Sequence, residues 1–185
     1  MAHIQPAAST GDSIDVAIHD FRATTTQGVD ADNEDVIVLL RRVRDIMGMD
    51  IIFIGEFVED QQVLHHVDTR LAEDMRLEGL ATPLRDTYCR RMIDATLPQA
   101  VPDTSQAEAV AHLPATADLD IKAYLSVPVV LSSGELYGTL CCISHDVQPW
   151  LTGLHARSLA DVAHLVAETV DLGRLLRQQP SQLQG

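Results

Sequence analysis

Apolar residues recur every three or four positions in two long stretches of the chain. The first stretch begins at Asn33 and ends near Gly48, a residue typical of helix C-termini. The second begins near Thr152, whose hydroxyl suits a helix N-cap, and runs to about Gln178. Because an apolar stripe needs a partner to cover it, we predict a single domain over residues 33–178 with an amphipathic helix at each end.

The segments outside this span lack a sustained pattern. Residues 1–32 mix Ser, Thr, Asp, Gly and Ala, and they contain one apolar patch, from Ile14 to Phe21. We expect an N-terminal arm there that is poorly ordered or forms a short helix. Residues 179–185 are predicted to be a tail.

Four runs rich in β-branched and other apolar residues predict strands. Asp50–Val58 and Gln62–Asp68 are separated by a turn-like pair and form one predicted hairpin. Lys122–Leu131 and Glu135–Ser144 flank the short loop Ser132–Gly134 and form a second. Apolar side chains occupy both alternating sets of positions, so both faces of the sheet should be covered, with helices packed on at least one of them.

A long irregular segment, residues 69–121, connects the two predicted hairpins. Four prolines interrupt it, and the stretch from Thr87 to Ile93 has a helical pattern. Irregular connections of this length are uncommon in compact domains unless they form a lid or the wall of a binding site. We therefore expect the function to reside in this crossover segment.

Charge argues against a nucleic-acid partner. The formal net charge is −14 and Lys122 is the only lysine, whereas binding to a phosphate backbone needs clustered Lys and Arg. Two small basic groups, Arg41–Arg44 and Arg90–Arg91, lie within helical patterns, and we interpret them as solvated helix faces.

The chain carries no sequence signal for a membrane or for secretion. No stretch approaches the roughly 20 apolar residues needed to span a bilayer, and the N-terminus lacks the apolar core of a secretory signal. We expect a cytoplasmic protein without membrane association. The three cysteines, two of them adjacent at Cys141 and Cys142, make neither an even disulfide framework nor a spaced metal motif, so reduced thiols and no metal are predicted.

Several strings in the crossover and the second hairpin carry a family resemblance. They are Thr87–Asp94 (TYCRRMID), Pro102–Thr104 (PDT), Ala123–Pro128 (AYLSVP) and Leu136–Cys142 (LYGTLCC). With the order helix, hairpin, crossover, hairpin, helix, they resemble bacterial GAF domains over roughly residues 33–177. The resemblance implies an α+β sandwich with a central antiparallel sheet of five to six strands. Terminal helices would cover one face, and crossover helices and loops would enclose a small-molecule pocket on the other.

The chain departs from three ligand-specific branches of that family. The NKFDE signature of cyclic-nucleotide-binding GAF domains is absent, and Cys89 is followed by Arg90 where bilin-binding relatives often have histidine. Methionine sulfoxide reductases on this fold use spaced cysteines in the crossover, where this chain has only Cys89. For haem, His112 is the candidate axial ligand by chain position. The resemblance thus leaves the ligand and any cofactor open, haem and bilin included.

We predict a ligand-binding site between the crossover helix and the second hairpin. Its members are Tyr88, Cys89, Arg90, Asp103, Tyr124 and Ser126. Side chains alternate along a strand, so Tyr124 and Ser126 share a face, with Lys122 one pair earlier, and offer polar groups to a ligand. The alternative is that Tyr124 is a core aromatic and that Arg90 pairs with Asp103.

The cysteines allow two interpretations. A thiol at Cys89 becomes reactive if Arg90 or Arg91 favours its thiolate, whereas a buried free cysteine behaves as a small hydrophobe. Cys141 and Cys142 should point to opposite faces of their strand, one toward the terminal helices and the other toward the pocket.

These features predict a small-molecule or redox sensor in bacterial signal transduction rather than an enzyme. Ligand binding is expected to order the crossover and shift the terminal helices of a homodimer, because the last helix has enough apolar positions for more than one buried stripe. The signal would reach a signalling enzyme in trans. Two alternatives stay open: a thiol-dependent reductase with Cys89 as nucleophile and Cys141 or Cys142 resolving, and a ligand-free structural dimer whose pocket is filled by its own side chains.

Overall fold

The long elements form where the apolar periodicity predicts them, and both hairpins and both terminal helices end within two residues of their expected limits. The computed structural model describes residues 7–25, 33–70 and 77–178. In chain order the elements are α1 (Ala7–Thr25), α2 (Asn33–Ile46), β1 (Ile51–Val58), β2 (Gln61–Thr69), β3 (Ala81–Pro83), α3 (Tyr88–Ile93), β4 (Ala100–Val101), α4 (Glu108–Ala111), α5 (Pro114–Asp118), β5 (Ala123–Val130), β6 (Leu136–Ser144) and α6 (Gly153–Gln178). Within these ranges no helix combines the length and apolar character needed to cross a bilayer.

The strands form one antiparallel sheet in the order β3-β2-β1-β6-β5-β4. β1 and β6 lie at its centre, with Phe53 opposite Cys141 and Ile54 opposite Leu140. Because side chains alternate along a strand, the first pair faces one side of the sheet and the second pair faces the other. This arrangement confirms the predicted α+β class with a central antiparallel sheet of five to six strands.

The terminal helices cover one face of the sheet, as predicted. Its apolar core, which we call the helix-face core, includes side chains of α2, α6 and the central strands that are almost fully buried, among them Leu40, Val43, Ile52, Leu125, Leu140, Leu159 and Val162. Each such side chain contributes about 1.5–3 kcal/mol when it leaves water. The terminal helices are therefore held to the sheet mainly by apolar burial.

The N-terminal region differs from the predicted arm or short helix. α1 has 19 residues and packs on α2 and α6, with Ile14, Ala17 and Phe21 buried in the helix-face core. The sequence pattern misses this helix because its apolar stripe is short and Gly11 lowers its intrinsic helix propensity, so that packing on other helices must stabilise it. The rest of the predicted arm, residues 1–6 and 26–32, and the tail at 179–185 lie outside the described residues.

A buried ion pair fixes α2 to the edge of the sheet. The Asp68 carboxylate on β2 accepts hydrogen bonds from Arg44 Nε at 2.6 Å and from Arg41 Nε at 3.0 Å. The side chains of Arg44 and Asp68 are each only 7% exposed. Because removal of one partner would leave a buried charge uncompensated, this contact makes the position of α2 on β2 specific.

The crossover covers the opposite face of the sheet. Its described part, residues 77–121, folds as the short strands β3 and β4 and the short helices α3, α4 and α5 joined by turns, and its apolar residues form a second core with residues of β1, β5 and β6. Leu97, Val110 and Leu113 from the crossover pack there with Ile51 and Ile143 from the strands. The predicted site residues must be sought in this second core, which we call the crossover core.

Candidate functional site

The position of Cys89 is set by the way α3 begins. A 3₁₀ turn at Leu84–Asp86 leads into Thr87, whose hydroxyl donates to the Leu84 carbonyl at 2.8 Å and accepts from the Arg90 backbone N–H at 3.2 Å. This side-chain cap satisfies a backbone N–H that has no partner within the helix. It also sets the helix so that Tyr88 and Cys89 are buried against the sheet.

Three hydrogen-bonding groups converge on the Cys89 sulfur. Gln62 Nε2 lies 2.9 Å from Sγ, Tyr124 Oη lies 3.1 Å away, and Cys141 Sγ lies 3.3 Å away. The amide nitrogen can only donate, whereas a hydroxyl or a thiol can donate or accept. All three groups are therefore able to donate to a Cys89 thiolate.

Cys141 is bound in turn by two hydroxyl groups. Ser126 Oγ and Thr139 Oγ1 each lie 3.2 Å from its sulfur. We call the resulting set the thiol cluster. It consists of six side chains that are no more than 3% exposed, namely Gln62, Cys89, Tyr124, Ser126, Thr139 and Cys141. A polar network of this kind lies within an otherwise apolar crossover core.

Gly55 makes room for one member of the thiol cluster. It pairs with Leu64 in the β1–β2 hairpin, and a Cβ built at this position would overlap the Gln62 side-chain amide. The missing side chain of glycine therefore allows the Gln62 amide to lie across the sheet and reach Cys89. A side chain at position 55 would displace that amide.

A small cavity adjoins the thiol cluster. It has a volume of about 70 Å³, and its lining includes Gln62, Cys89 and Tyr124 together with the apolar Phe53 and Ile121. Since one water occupies about 30 Å³ of the liquid, the cavity has room for roughly two water-sized groups. The arrangement can bind a very small polar molecule beside the Cys89 sulfur.

The two thiols of the cluster have opposite pKa shifts. Burial raises the pKa of Cys89, but hydrogen bonds outweigh it, the largest from Cys141, and lower the pKa from 9.0 to about 7. Burial, followed by the neighbouring Cys89, raises the pKa of Cys141 well above its ordinary value. Burial likewise raises the pKa of Tyr124, so its hydroxyl keeps its proton and can donate it. Cys89 is thus the thiolate of the pair, and its partners stay protonated.

The structure brings four of the six predicted site residues together and leaves two outside. Cys89, Tyr124 and Ser126 belong to the thiol cluster, and the Tyr88 ring lies 4.8 Å from that of Tyr124, centroid to centroid. Tyr88 also lines the cavity, and its hydroxyl is within 2.7 Å of Thr116 Oγ1.

Arg90 and Asp103 have local partners and do not form the pair that the alternative interpretation gave them. Arg90 points outward from α3 and binds Asp94 one turn later at 2.7 Å. The Asp103 carboxylate accepts from the backbone N–H of Ser105 at 3.0 Å and so caps the next 3₁₀ turn. Lys122, the residue before the strand, is exposed and also lies outside the cluster. For Arg90 the cause is the geometry of α3. Adjacent residues on a helix point in different directions, so burial of Cys89 turns the Arg90 side chain toward solvent.

The remaining thiol and the candidate haem ligand lie elsewhere. Cys142 is buried in the helix-face core on the opposite side of β6, where burial raises its pKa. The expectation that the adjacent cysteines face opposite sides of the sheet is thus met. His112, the candidate axial ligand for haem, is exposed at the end of α4 and does not line the cavity beside Cys89. In the described ranges no three His, Cys, Asp or Glu side chains group as metal ligands.

Sequence reasoning missed two members of the thiol cluster, Gln62 and Thr139. Both follow the alternation of their strands, since Gln62 is two residues from Leu64 and Thr139 is two residues from Cys141. Gly55 was a second signal in the sequence for a polar group packed at this point, because a glycine inside a strand often marks a close approach of another group.

The described chain is an antiparallel α+β sandwich whose candidate site lies under a helical crossover. Its sequence matches the family model of the GAF domain over residues 36–170. The chain therefore belongs to the GAF domain family, which confirms the resemblance seen in the sequence.

Solved structures of similar fold agree with this assignment. A phycocyanobilin-bound GAF domain from a cyanobacterial phytochrome superposes with a TM-score of 0.72 at 13% identity, covering 90% of this chain and 98% of that one. The GAF domain of an Acinetobacter phosphoenolpyruvate-protein phosphotransferase gives 0.69 at 15% identity, with coverages of 95% and 97%. Its counterpart from Coxiella burnetii gives 0.71 at 14% identity, with coverages of 91% and 99%. No curated protein matches the sequence.

Proposed function

We propose that this chain is a sensory domain in bacterial signal transduction and has no enzymatic activity of its own. It would bind a small molecule, or respond to a redox cue, at the thiol cluster. The observation that carries this proposal is the combination of six buried polar and thiol side chains with a cavity inside an apolar core. Burying polar groups costs free energy unless internal hydrogen bonds compensate, and apolar residues would fill the same space without that requirement.

The cavity limits the size of the ligand. Its volume of about 70 Å³ is well below the roughly 300–1,000 Å³ of ordinary ligand pockets. A chromophore the size of the phycocyanobilin held by the similar cyanobacterial domain would fit only if the crossover opened. We therefore propose a ligand of a few heavy atoms that contacts Gln62, Cys89 and Tyr124.

The terminal helices are the proposed output of the domain. α6 is buried in its first part, whereas Leu172, Leu175 and Leu176 near its end are exposed, Leu175 to 60%. Residues three or four apart lie on one helix face, so these leucines form an apolar stripe. We propose that the stripe forms the interface of a homodimer in the cytoplasm, and that the dimer acts on a signalling enzyme in trans without nucleic acid or membrane.

The ligand-binding proposal is tested by thermal unfolding of the full chain in a reducing buffer, screened against molecules of a few heavy atoms. A ligand at 100 times its Kd stabilises the folded state by about 2.7 kcal/mol, which raises Tm by roughly 5–10 °C in a domain of this size. Tyr124→Phe should reduce the shift. Tyr137→Phe is the matched control, because that tyrosine is half-buried beside the helix-face core.

Two results would contradict the proposal. One is the absence of any Tm shift across a screen of small polar molecules. The other is a shift of equal size in both tyrosine variants, which would place the binding site away from the thiol cluster.

A thiol-dependent reductase is the second candidate function, and the 3.3 Å between the sulfurs of Cys89 and Cys141 favours it. A reductase would reduce many substrate molecules per chain when a thiol reductant is supplied. A sensor would react about once per chain and keep the new state. Counting the turnovers of a sulfoxide substrate per chain, with a thiol reductant supplied, therefore separates the two candidates.

A further inference from the structure

Two free thiols are buried side by side where the crossover meets the sheet. Cys89 Sγ on α3 and Cys141 Sγ on β6 lie 3.3 Å apart, and a disulfide bond of about 2.0 Å would require the sulfurs to approach by little more than 1 Å. Apolar side chains would pack at these positions without needing hydrogen-bond partners. The thiol pair, its donors and the adjoining cavity together point to thiol chemistry.

We infer that Cys89 and Cys141 are a dithiol that a hydroperoxide converts to an intramolecular disulfide. This inference deepens the proposed sensory function and rests on it, because it names the cue and the reaction at the same site.

The cavity assigns different roles to the two thiols. Of the pair, Cys89 lines the cavity, so a molecule there meets the Cys89 sulfur first. The thiolate is the nucleophilic form of cysteine, and Gln62 and Tyr124 donate hydrogen bonds that stabilise it. Cys141 lies behind Cys89 on the central strand, within contact of its sulfur. Cys89 is thus the attacking thiol and Cys141 the resolving thiol.

The cavity also selects the oxidant. Hydrogen peroxide has two heavy atoms and fits a volume of about 70 Å³, whereas a peptide disulfide does not. The Gln62 amide and the Tyr124 hydroxyl line the same cavity and can donate to a peroxide oxygen. A small hydroperoxide is therefore the chemical class that the site accepts.

The first step is a two-electron oxidation of Cys89. Its thiolate sulfur attacks one peroxide oxygen, an S–O bond forms, and the O–O bond breaks. The departing oxygen leaves with the electron pair and takes a proton to become water or an alcohol. Cys89 is then a sulfenic acid, and the peroxide has been reduced by two electrons.

The second step joins the two cysteines. The Cys141 sulfur attacks the Cys89 sulfur, the S–S bond forms, and the S–O bond breaks. The hydroxide that leaves combines with the Cys141 proton to give a second water. A dithiol reductant reverses the change by thiol–disulfide exchange.

The test uses the full chain, fully reduced and freed of reductant. It is exposed to hydrogen peroxide, denatured in a thiol-alkylating reagent, and digested for mass spectrometry. We expect a peptide pair cross-linked between Cys89 and Cys141 within the same chain, while Cys142 is recovered in its alkylated form. The cross-link should disappear after treatment with a dithiol before alkylation.

Three serine variants provide the controls. Cys142→Ser should behave like the wild type, because that thiol lies on the other face of β6. Cys141→Ser should stop at the Cys89 sulfenic acid, which dimedone traps, and Cys89→Ser should lose both products.

Three results would overturn the inference: a cross-link that contains Cys142, cross-links only between chains, or recovery of all three cysteines in alkylated form. The third result applies at a peroxide dose that oxidises an unstructured cysteine peptide. The wild-type peptide map gives this answer even if a variant fails to fold.

Because the ligand screen uses the reduced chain, a ligand-induced Tm shift without the disulfide would overturn this inference alone. The disulfide without any ligand shift would instead remove the small-molecule part of the proposed function.

Discussion

The lowered pKa of Cys89 has a consequence for folding stability that can be measured directly. In the unfolded chain this thiol titrates near its ordinary pKa of 9.0, whereas hydrogen bonds from the thiol cluster hold its pKa at about 7 in the folded chain. Cys89→Ser removes the titrating group and keeps a small polar side chain. The difference in unfolding free energy between the wild type and this variant should therefore depend on pH.

The sign and size of this dependence follow from proton linkage. A folded-state pKa below the unfolded value means that the unfolded chain binds the proton more tightly, so stability rises with pH. The contribution of Cys89 is absent below pH 7 and grows as the pH approaches 9. Between pH 6.5 and pH 8.5 the wild type should gain about 2 kcal/mol relative to Cys89→Ser.

The assay is urea unfolding of both proteins in a reducing buffer at a series of pH values. His66 and His155, whose pKa values are lowered by burial, titrate in both proteins, so their effect cancels in the difference. Cys142→Ser is the matched control. Burial raises the pKa of the Cys142 thiol, so its contribution has the opposite sign and begins only near pH 8.5. A difference between wild type and Cys89→Ser that stays flat from pH 6.5 to 8.5 would refute a Cys89 thiolate in the folded state.

Three further substitutions test the surrounding structure. Gly55→Ala should displace the glutamine amide of the thiol cluster and raise the pH at which Cys89 alkylation is half-maximal by about one pH unit. An unchanged midpoint would mean that this amide does not stabilise the thiolate. Asp68→Asn should destabilise the fold by about 3 kcal/mol or more in urea, because its arginine partner stays buried and charged; a loss below 1 kcal/mol would contradict this. Leu175→Glu should convert the proposed dimer to monomer in analytical ultracentrifugation, whereas Val147→Glu, at a position that is also exposed but precedes α6, should not; a wild-type monomer would exclude the dimer.

Apolar periodicity was sufficient to predict the parts of the fold that depend on local sequence. β5 and β6 are runs rich in apolar residues around a short turn in which Gly134 has a φ of +85°, a conformation that favours glycine. The strands β3 and β4 have only three and two residues, and they exist because they pair with a neighbouring strand. No local pattern signals such pairing. The apolar patch Ile14–Phe21 signalled at most a short helix, because the full length of α1 depends on packing against two other helices.

The candidate site was predicted where strand alternation determines it and missed where tertiary structure does. Alternation placed Tyr124 and Ser126 on one face and separated Cys141 from Cys142. The contact between Cys89 and Cys141 joins residues 52 positions apart and depends on where the crossover lays α3 over the sheet. That position is set by the packing of the whole crossover core, so no spacing rule in the sequence predicts it.

Formation of the proposed disulfide brings the two sulfurs more than 1 Å closer, and the elements that carry them, α3 and β6, are not equally free to move. β6 pairs along its length with β1 on one side and β5 on the other. α3 has six residues and one side-chain cap, from Thr87. Elements with fewer hydrogen bonds and contacts open at lower free-energy cost, so α3 should take up the movement. Hydrogen exchange should therefore change on oxidation in residues 84–97 and stay constant in residues 136–144. A change of similar size in β6 would contradict this reasoning and indicate that the sheet itself moves toward α3.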